Sequence, residues 1–194
     1  MSNFQDKKDQ FTSTKKNSRP LVIGIVLIVL VAAAAAVVFF MNKGTSDKIN
    51  YYGEPVAEAR SYIGQVISMT TITPEVKEDK VIFPLEEVDS NNIVYFELEN
   101  DQNELVPIMA YLTPSGRLFV GSSMCEPCRG RKFSLAGETL VCDTCKTTYN
   151  IETHEFLSGA AICGKLPPIN MNPVIEDENI VFDYNEVLQW RIRE

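Results

Sequence analysis

The chain has 194 residues, 45% of them apolar and 23% charged, and a formal net charge of −8, inside the ordinary range for one or two globular domains. The charge is unevenly divided. Residues 1–20 carry Lys7, Lys8, Lys15, Lys16 and Arg19 against Asp6 and Asp9, a local +3 that leaves −11 on the remainder. So acidic a body argues against a nucleic-acid-binding surface, and no nucleic-acid partner is expected.

Residues 21–41, LVIGIVLIVLVAAAAAVVFFM, form a run without a single charge. About 20 residues at 1.5 Å rise span a hydrocarbon core of about 30 Å. Ala32 to Ala36 supply small residues of the kind a signal peptidase accepts, but a cleaved signal's apolar region is shorter, about 7–15 residues. The run therefore reads as an uncleaved transmembrane helix in contact with membrane lipid. Its basic flank lies before it, whereas only Lys43 and Lys48, opposed by Asp47, follow it. Positive-inside orientation then places residues 1–20 in the cytoplasm as a disordered basic segment, residues 42–50 as a flexible stalk, and everything beyond outside the cytoplasm at the cell membrane.

From residue 51 onward strand signals dominate. PVAEARSYIGQ, residues 55–65, is the exception: Pro55 near a first turn, with Val56, Ala59 and Ile63 on one side, predicts a helix. Ile93 to Glu99 alternates, with Val94, Phe96 and Leu98 on one face and Tyr95, Glu97 and Glu99 on the other. LVPIMAYL and RLFV flank the turn residues TPSG; FSL and TLVC flank AGE; YNI and EFL flank ETH, and ENIVFDY adds a late strand. The predicted fold is mainly β, an antiparallel sandwich or barrel-like body, divided into a β-rich domain over 51–121 and a four-cysteine domain over 122–194. Acidic clusters at Glu75, Glu78, Asp79, Glu86, Glu87 and Asp89, and at Glu97, Glu99, Asp101 and Glu104, read as a solvated face with turns rather than as cation collectors.

All five cysteines fall within 39 residues, as C-x2-C-x13-C-x2-C-x17-C: Cys125, Cys128, Cys142, Cys145 and Cys163. Two residues between cysteines let both thiolates of a knuckle point at one centre, and two knuckles on neighbouring hairpins make a four-sulfur cage. Three chemistries compete for it. Disulfides or dithiol exchange suit a location outside the cytoplasm, structural zinc suits the spacing, and an iron–sulfur centre accepts the same four thiolates.

The flanking sequence carries two resemblances. FSLAGETLVCDTCKTTYNIETHEFLSGAA is similar to the second half of a Rieske-type domain, with Cys142 at the second cysteine ligand and Cys145 at the second histidine ligand. It departs from that pattern in having cysteine at both histidine positions and C-x2-C in place of C-x-H in the first knuckle. A longer stretch, roughly residues 76–187, contains VIFPLEEVDSNN, IVYFELE, SSMCEPC, LVCDTCKTTYNI and SGAAICGKLPPI. It resembles the FtrD-like membrane-anchored iron-sulfur-containing proteins found with bacterial iron uptake. That resemblance implies an iron–sulfur cluster at Cys125, Cys128, Cys142 and Cys145, with zinc as the alternative. It also implies a closing cysteine at Cys163, a membrane redox or iron-permease partner, and an electron carrier rather than an enzyme with its own turnover.

The remaining candidates have bland readings beside functional ones. Cys163 serves either as a fifth ligand or as a buried small hydrophobe. His154, the only histidine, sits in the ETHE turn, where histidine tolerates a left-handed backbone. Met109, Met124 and Met171 offer copper ligands, although Met109 lies in a strand pattern and reads as core. Arg129, Arg131 and Lys132 follow the first knuckle, either lowering thiolate pKa values or forming a solvated loop. Without a second histidine no hydrolase triad is possible, and no Gly-rich phosphate loop occurs.

Overall fold

The computed structural model describes residues 52–193. The basic segment, the apolar run 21–41 and the stalk lie outside the described residues. Among those that are described, no helix is long and apolar enough to cross a membrane.

The fold is mainly β. The thirteen strands among the described residues are β1 (Val66–Ser68), β2 (Thr70–Thr71), β3 (Glu75–Lys77), β4 (Lys80–Pro84), β5 (Ile93–Glu99), β6 (Leu105–Leu112), β7 (Leu118–Ser122), β8 (Phe133–Ala136), β9 (Thr139–Cys142), β10 (Thr148–Asn150), β11 (Phe156–Ser158), β12 (Val174–Glu176) and β13 (Asn179–Asp183). Among the described residues three short helices accompany them: α1 (Leu85–Asn91), α2 (Ala161–Gly164) and α3 (Tyr184–Leu188). The strands form three open sheets, ordered β2-β5-β6-β7, β12-β13-β4-β3 and β1-β8-β9-β10-β11. Every pairing is antiparallel except β2 with β5. None of these sheets closes on itself, so the barrel half of the expectation gives way to stacked open sheets.

The β2-β5-β6-β7 sheet is the middle layer, as the side-chain alternation of β6 shows. Val106, Ile108, Ala110 and Leu112 enter one core, with Val81 and Phe83 of β4, Ile180 and Phe182 of β13, Val88 of α1 and Val187 of α3. Met109 and Tyr111 enter the other, with Ile93, Phe119, Phe133, Leu135, Leu140 and Tyr149. A strand buried on both faces has no polar side to show, which is why LVPIMAYL reads as a continuous apolar run. Close approach is part of the arrangement. A Cβ on Gly121 of β7 would stand 2.0 Å from the Ile169 carbonyl oxygen, so only glycine lets the 169–171 segment bond to Ser122 and Val120.

Segments on either side of residue 122 share two sheets and both cores. β13 pairs with β4 over Asn179 to Asp183 against Lys80 to Pro84, and β1 pairs with β8. The helix expected over 55–65 is absent. Its backbone donors are taken outward instead: the Val56 and Ala57 N–H groups donate to the Gly116 carbonyl at 2.8 and 3.2 Å, and that of Arg60 to Pro114 at 2.9 Å. An amide already satisfied by a neighbouring turn has none left for a helical ladder.

The acidic clusters serve turns, the first turn of α1 and ion pairs. Glu78 and Asp79 occupy left-handed positions of the β3–β4 turn, while Glu86 and Glu87 lie in the first turn of α1, where the helix dipole favours them. Asp89 pairs with Arg60, Glu97 with Arg131 and Asp101 with Arg191.

Replacing Ile108, fully buried in the middle sheet, with alanine should cost about 2–5 kcal/mol in urea unfolding. The same change at Leu105, 46% exposed in the same strand, should stay within about 0.5 kcal/mol. Equal losses at both sites would contradict the two-sided burial.

Candidate metal centre

Two strands deliver the cysteines. β7 ends at Ser122, three residues before Cys125, and β9 ends on Cys142 itself. Each knuckle then closes in the same way. The Cys125 N–H donates to the Gly130 carbonyl at 2.8 Å and the Cys142 N–H to that of Thr147 at 2.9 Å. The residue after each second cysteine, Arg129 or Lys146, takes a left-handed conformation with φ 59° or 60°, which turns the chain back and points both thiols inward. Gly130 fits because a Cβ there would press on the Thr144 hydroxyl at 2.7 Å and on the Cys142 sulfur at 3.0 Å.

The Sγ atoms of Cys125, Cys128, Cys142 and Cys145 all lie within 4.8 Å of one another. Cys125 and Cys145 are 3.7 Å apart, Cys128 and Cys142 3.8 Å. A tetrahedron with metal–sulfur bonds of about 2.3 Å has edges of about 3.8 Å, so the four sulfurs already stand at coordinating distance. All five cysteines are free thiols. Cys163 lies outside the group of four, buried on α2 with its sulfur 3.8 Å from that of Cys145. Its carbonyl accepts the Tyr149 hydroxyl at 2.7 Å.

Electrostatics divide the sulfurs. Burial pushes the Cys125 and Cys142 thiols up, and Cys163 up as well. Burial acts on Cys145 in the same direction, but hydrogen bonds from the Thr147 hydroxyl and N–H, and from the thiols of Cys128 and Cys142, outweigh it and lower its pKa. The Thr147 hydroxyl oxygen is 3.2 Å from the Cys145 sulfur. A metal would thus meet one thiol ready to ionise and displace protons from buried neighbours, so loading releases protons.

Contacts around the knuckles hold their acidic second residues. Asp143 accepts the Ser134 hydroxyl at 2.8 Å and its N–H donates to the Lys132 carbonyl at 3.0 Å. Glu126 is 1% exposed and bonded to Arg193. Sequence reasoning missed this pair, whose partners are 67 residues apart. A carboxylate enclosed between two cysteines was the one signal available.

The other candidates resolve as structure. His154 takes a left-handed φ of 55° in the β10–β11 turn, as expected. Its ring packs on Phe119, centroids 4.6 Å apart, with Nε2 2.6 Å from the Tyr111 hydroxyl. Met109 is in the core facing the cysteines, and Met124 and Met171 are in the opposite core. Arg131 pairs with Glu97 at 2.9 Å, and Lys132 stands over the Tyr95 ring at 3.1 Å, so both reach toward β5.

These features define a β protein with a four-thiolate site at the ends of two hairpins, chemistry that suits iron–sulfur and zinc alike. The model of the family described as membrane iron-sulfur containing protein FtrD-like matches residues 88–193, more than half of the chain, and the chain belongs to that family. No curated protein and no solved structure matches it.

Burial holds the His154 pKa down to about 3, against an opposing hydrogen bond with the Pro168 backbone. The unfolded chain protonates this imidazole below about pH 6.5, whereas the folded chain resists until about pH 3. Its contribution is therefore complete above pH 6.5 and is lost as the pH falls, by about 1.4 kcal/mol per unit. Urea unfolding of the metal-free chain at pH 4 to 8 should show a shallower pH dependence for His154→Gln than for the parent. Identical slopes would place the titration elsewhere.

Proposed function

We propose that the protein is an electron carrier held at the outer face of the cell membrane, serving iron uptake or a membrane redox chain through an iron–sulfur centre on Cys125, Cys128, Cys142 and Cys145. The observation that carries this reading is the convergence of four thiols within 4.8 Å in a chain of the membrane iron–sulfur family. When bound, such a centre supplies one-electron transfer, and all-thiolate ligation in an acidic protein favours a low potential.

The chain's own residues hold the donors and limit water. Cys125 and Cys142 are fully buried, whereas Cys128 and Cys145 are partly exposed, leaving one side of the site open to a partner. Cys163, against Cys145, is available as a fifth or exchanging ligand. The hairpin β8–β9, the second knuckle, and the hairpin β10–β11 follow one another in the order expected of a Rieske-like subdomain. The apolar run 21–41 would be the anchor, with residues 1–20 inside.

Zinc is the second reading, favoured by edges of 3.7 and 3.8 Å that match one tetrahedral ion. Zinc has no redox chemistry and would leave a structural module for partner binding.

The full chain, purified without oxygen in detergent, should be brown, contain iron and acid-labile sulfide, and bleach reversibly with dithionite. Cys142→Ser or Cys145→Ser should abolish the colour. A colourless chain holding one zinc and four protected thiols supports the second reading, and two disulfides without metal overturn both. For orientation, protease added to intact spheroplasts should digest the body and spare residues 1–20, and the opposite pattern reverses the topology.

A further inference from the structure

The first knuckle is held from an unexpected direction. Glu126, between Cys125 and Pro127, has a side chain with no solvent exposure. A carboxylate so enclosed, beside two thiolate ligands, is unfavourable unless a positive partner and hydrogen bonds compensate it. Arg193 provides both. Its Nε donates to Glu126 Oε1 at 2.8 Å, its Nη2 lies 2.6 Å from the same oxygen, and its backbone N–H donates to Oε2. The same Nη2 also donates to the Pro167 carbonyl at 2.6 Å, four residues beyond Cys163. One guanidinium therefore joins the first knuckle to the segment that carries the closing cysteine. The tail bearing it is itself fixed, since Trp190 is buried in the core on the far side of the middle sheet and Arg191 pairs with Asp101.

We propose that Arg193 and Glu126 form a latch that positions Cys125 and Cys128 and governs how long the site keeps its metal. The inference rests on the reading that the four cysteines hold a metal, whichever metal it is. A planar guanidinium with Nε and Nη2 both on Oε1, and Nη2 also on the Pro167 carbonyl, fixes direction as well as charge, which lysine cannot reproduce. Neither residue touches the metal. Both are positioning residues acting through the knuckle backbone.

The test uses the full chain in detergent, loaded with zinc and challenged with excess chromophoric chelator. Arg193→Gln and Glu126→Gln should each release zinc about 10–100-fold faster than the parent, the range for groups that orient metal ligands. Arg193→Lys should fall between. The double variant E126Q/R193Q leaves no buried lone charge and should fold even where a single variant does not. Its release should be no faster than that of R193Q, because both changes break one link. Melting with and without zinc separates a latch from general stabilisation: the variants should lose more melting temperature zinc-loaded than metal-free. Release within twofold of the parent in the double variant, or equal melting losses in the two forms, overturns the latch. A parent chain that retains no zinc or iron overturns the metal site, and the latch with it.

Discussion

A sheet buried on both faces has to satisfy two cores at once, and much else in this protein follows from that demand on β5, β6 and β7. Each residue of Val106 to Leu112 is enclosed, even and odd positions serving opposite layers. Neither layer stands alone in such an arrangement. The β12-β13-β4-β3 sheet has short strands with exposed edge residues, and the β1-β8-β9-β10-β11 sheet has strands of three or four residues. Both gain their apolar burial by lying on the middle sheet, and the cysteine hairpins are placed by the second of these contacts.

The sulfur site inherits its precision from that support. Four thiols brought within 4.8 Å are compatible when neutral and repel one another when ionised, so the metal-free site favours protons and the loaded site favours thiolates. The protein prepares for the second state without abandoning the first. Thr147 stabilises a thiolate at Cys145, while burial keeps Cys125 and Cys142 protonated. Repeated knuckle geometry, with Arg129 and Lys146 in equivalent left-handed turns, makes the two halves of the cage near copies.

The parts of the fold legible in the sequence were those set by local pattern. TPSG and AGE turns between apolar runs mark the β6–β7 and β8–β9 hairpins, because turn chemistry and strand period are both written within a dozen residues. The cysteine spacing similarly singled out the sulfurs that converge. What escaped was decided at long range. Residues 55–65 have a helical apolar spacing, yet Gly116 and Pro114 claim their amides. The short helices α1 and α3 follow β4 and β13, the two strands that join distant parts of the chain at the centre of their sheet. The Glu126 to Arg193 contact joins two charges that separately look like surface residues.

One such long-range contact bears on how the molecule comes to be folded. β4 is the inner partner of β13, and the Lys80 to Glu176 ion pair ties β4 to β12 across it, between residues 96 apart in the chain. Closing so large a loop carries an entropic cost before any contact offsets it. The β3–β4 hairpin must therefore wait, with one edge unpaired, until β13 arrives. That waiting edge, Val81 and Phe83 included, is the stretch most exposed to wrong pairing with another chain. Lys80 and the charged turn at Glu78 and Asp79 stand beside it, side chains of the kind that blunt a strand edge because pairing there would strip them of water.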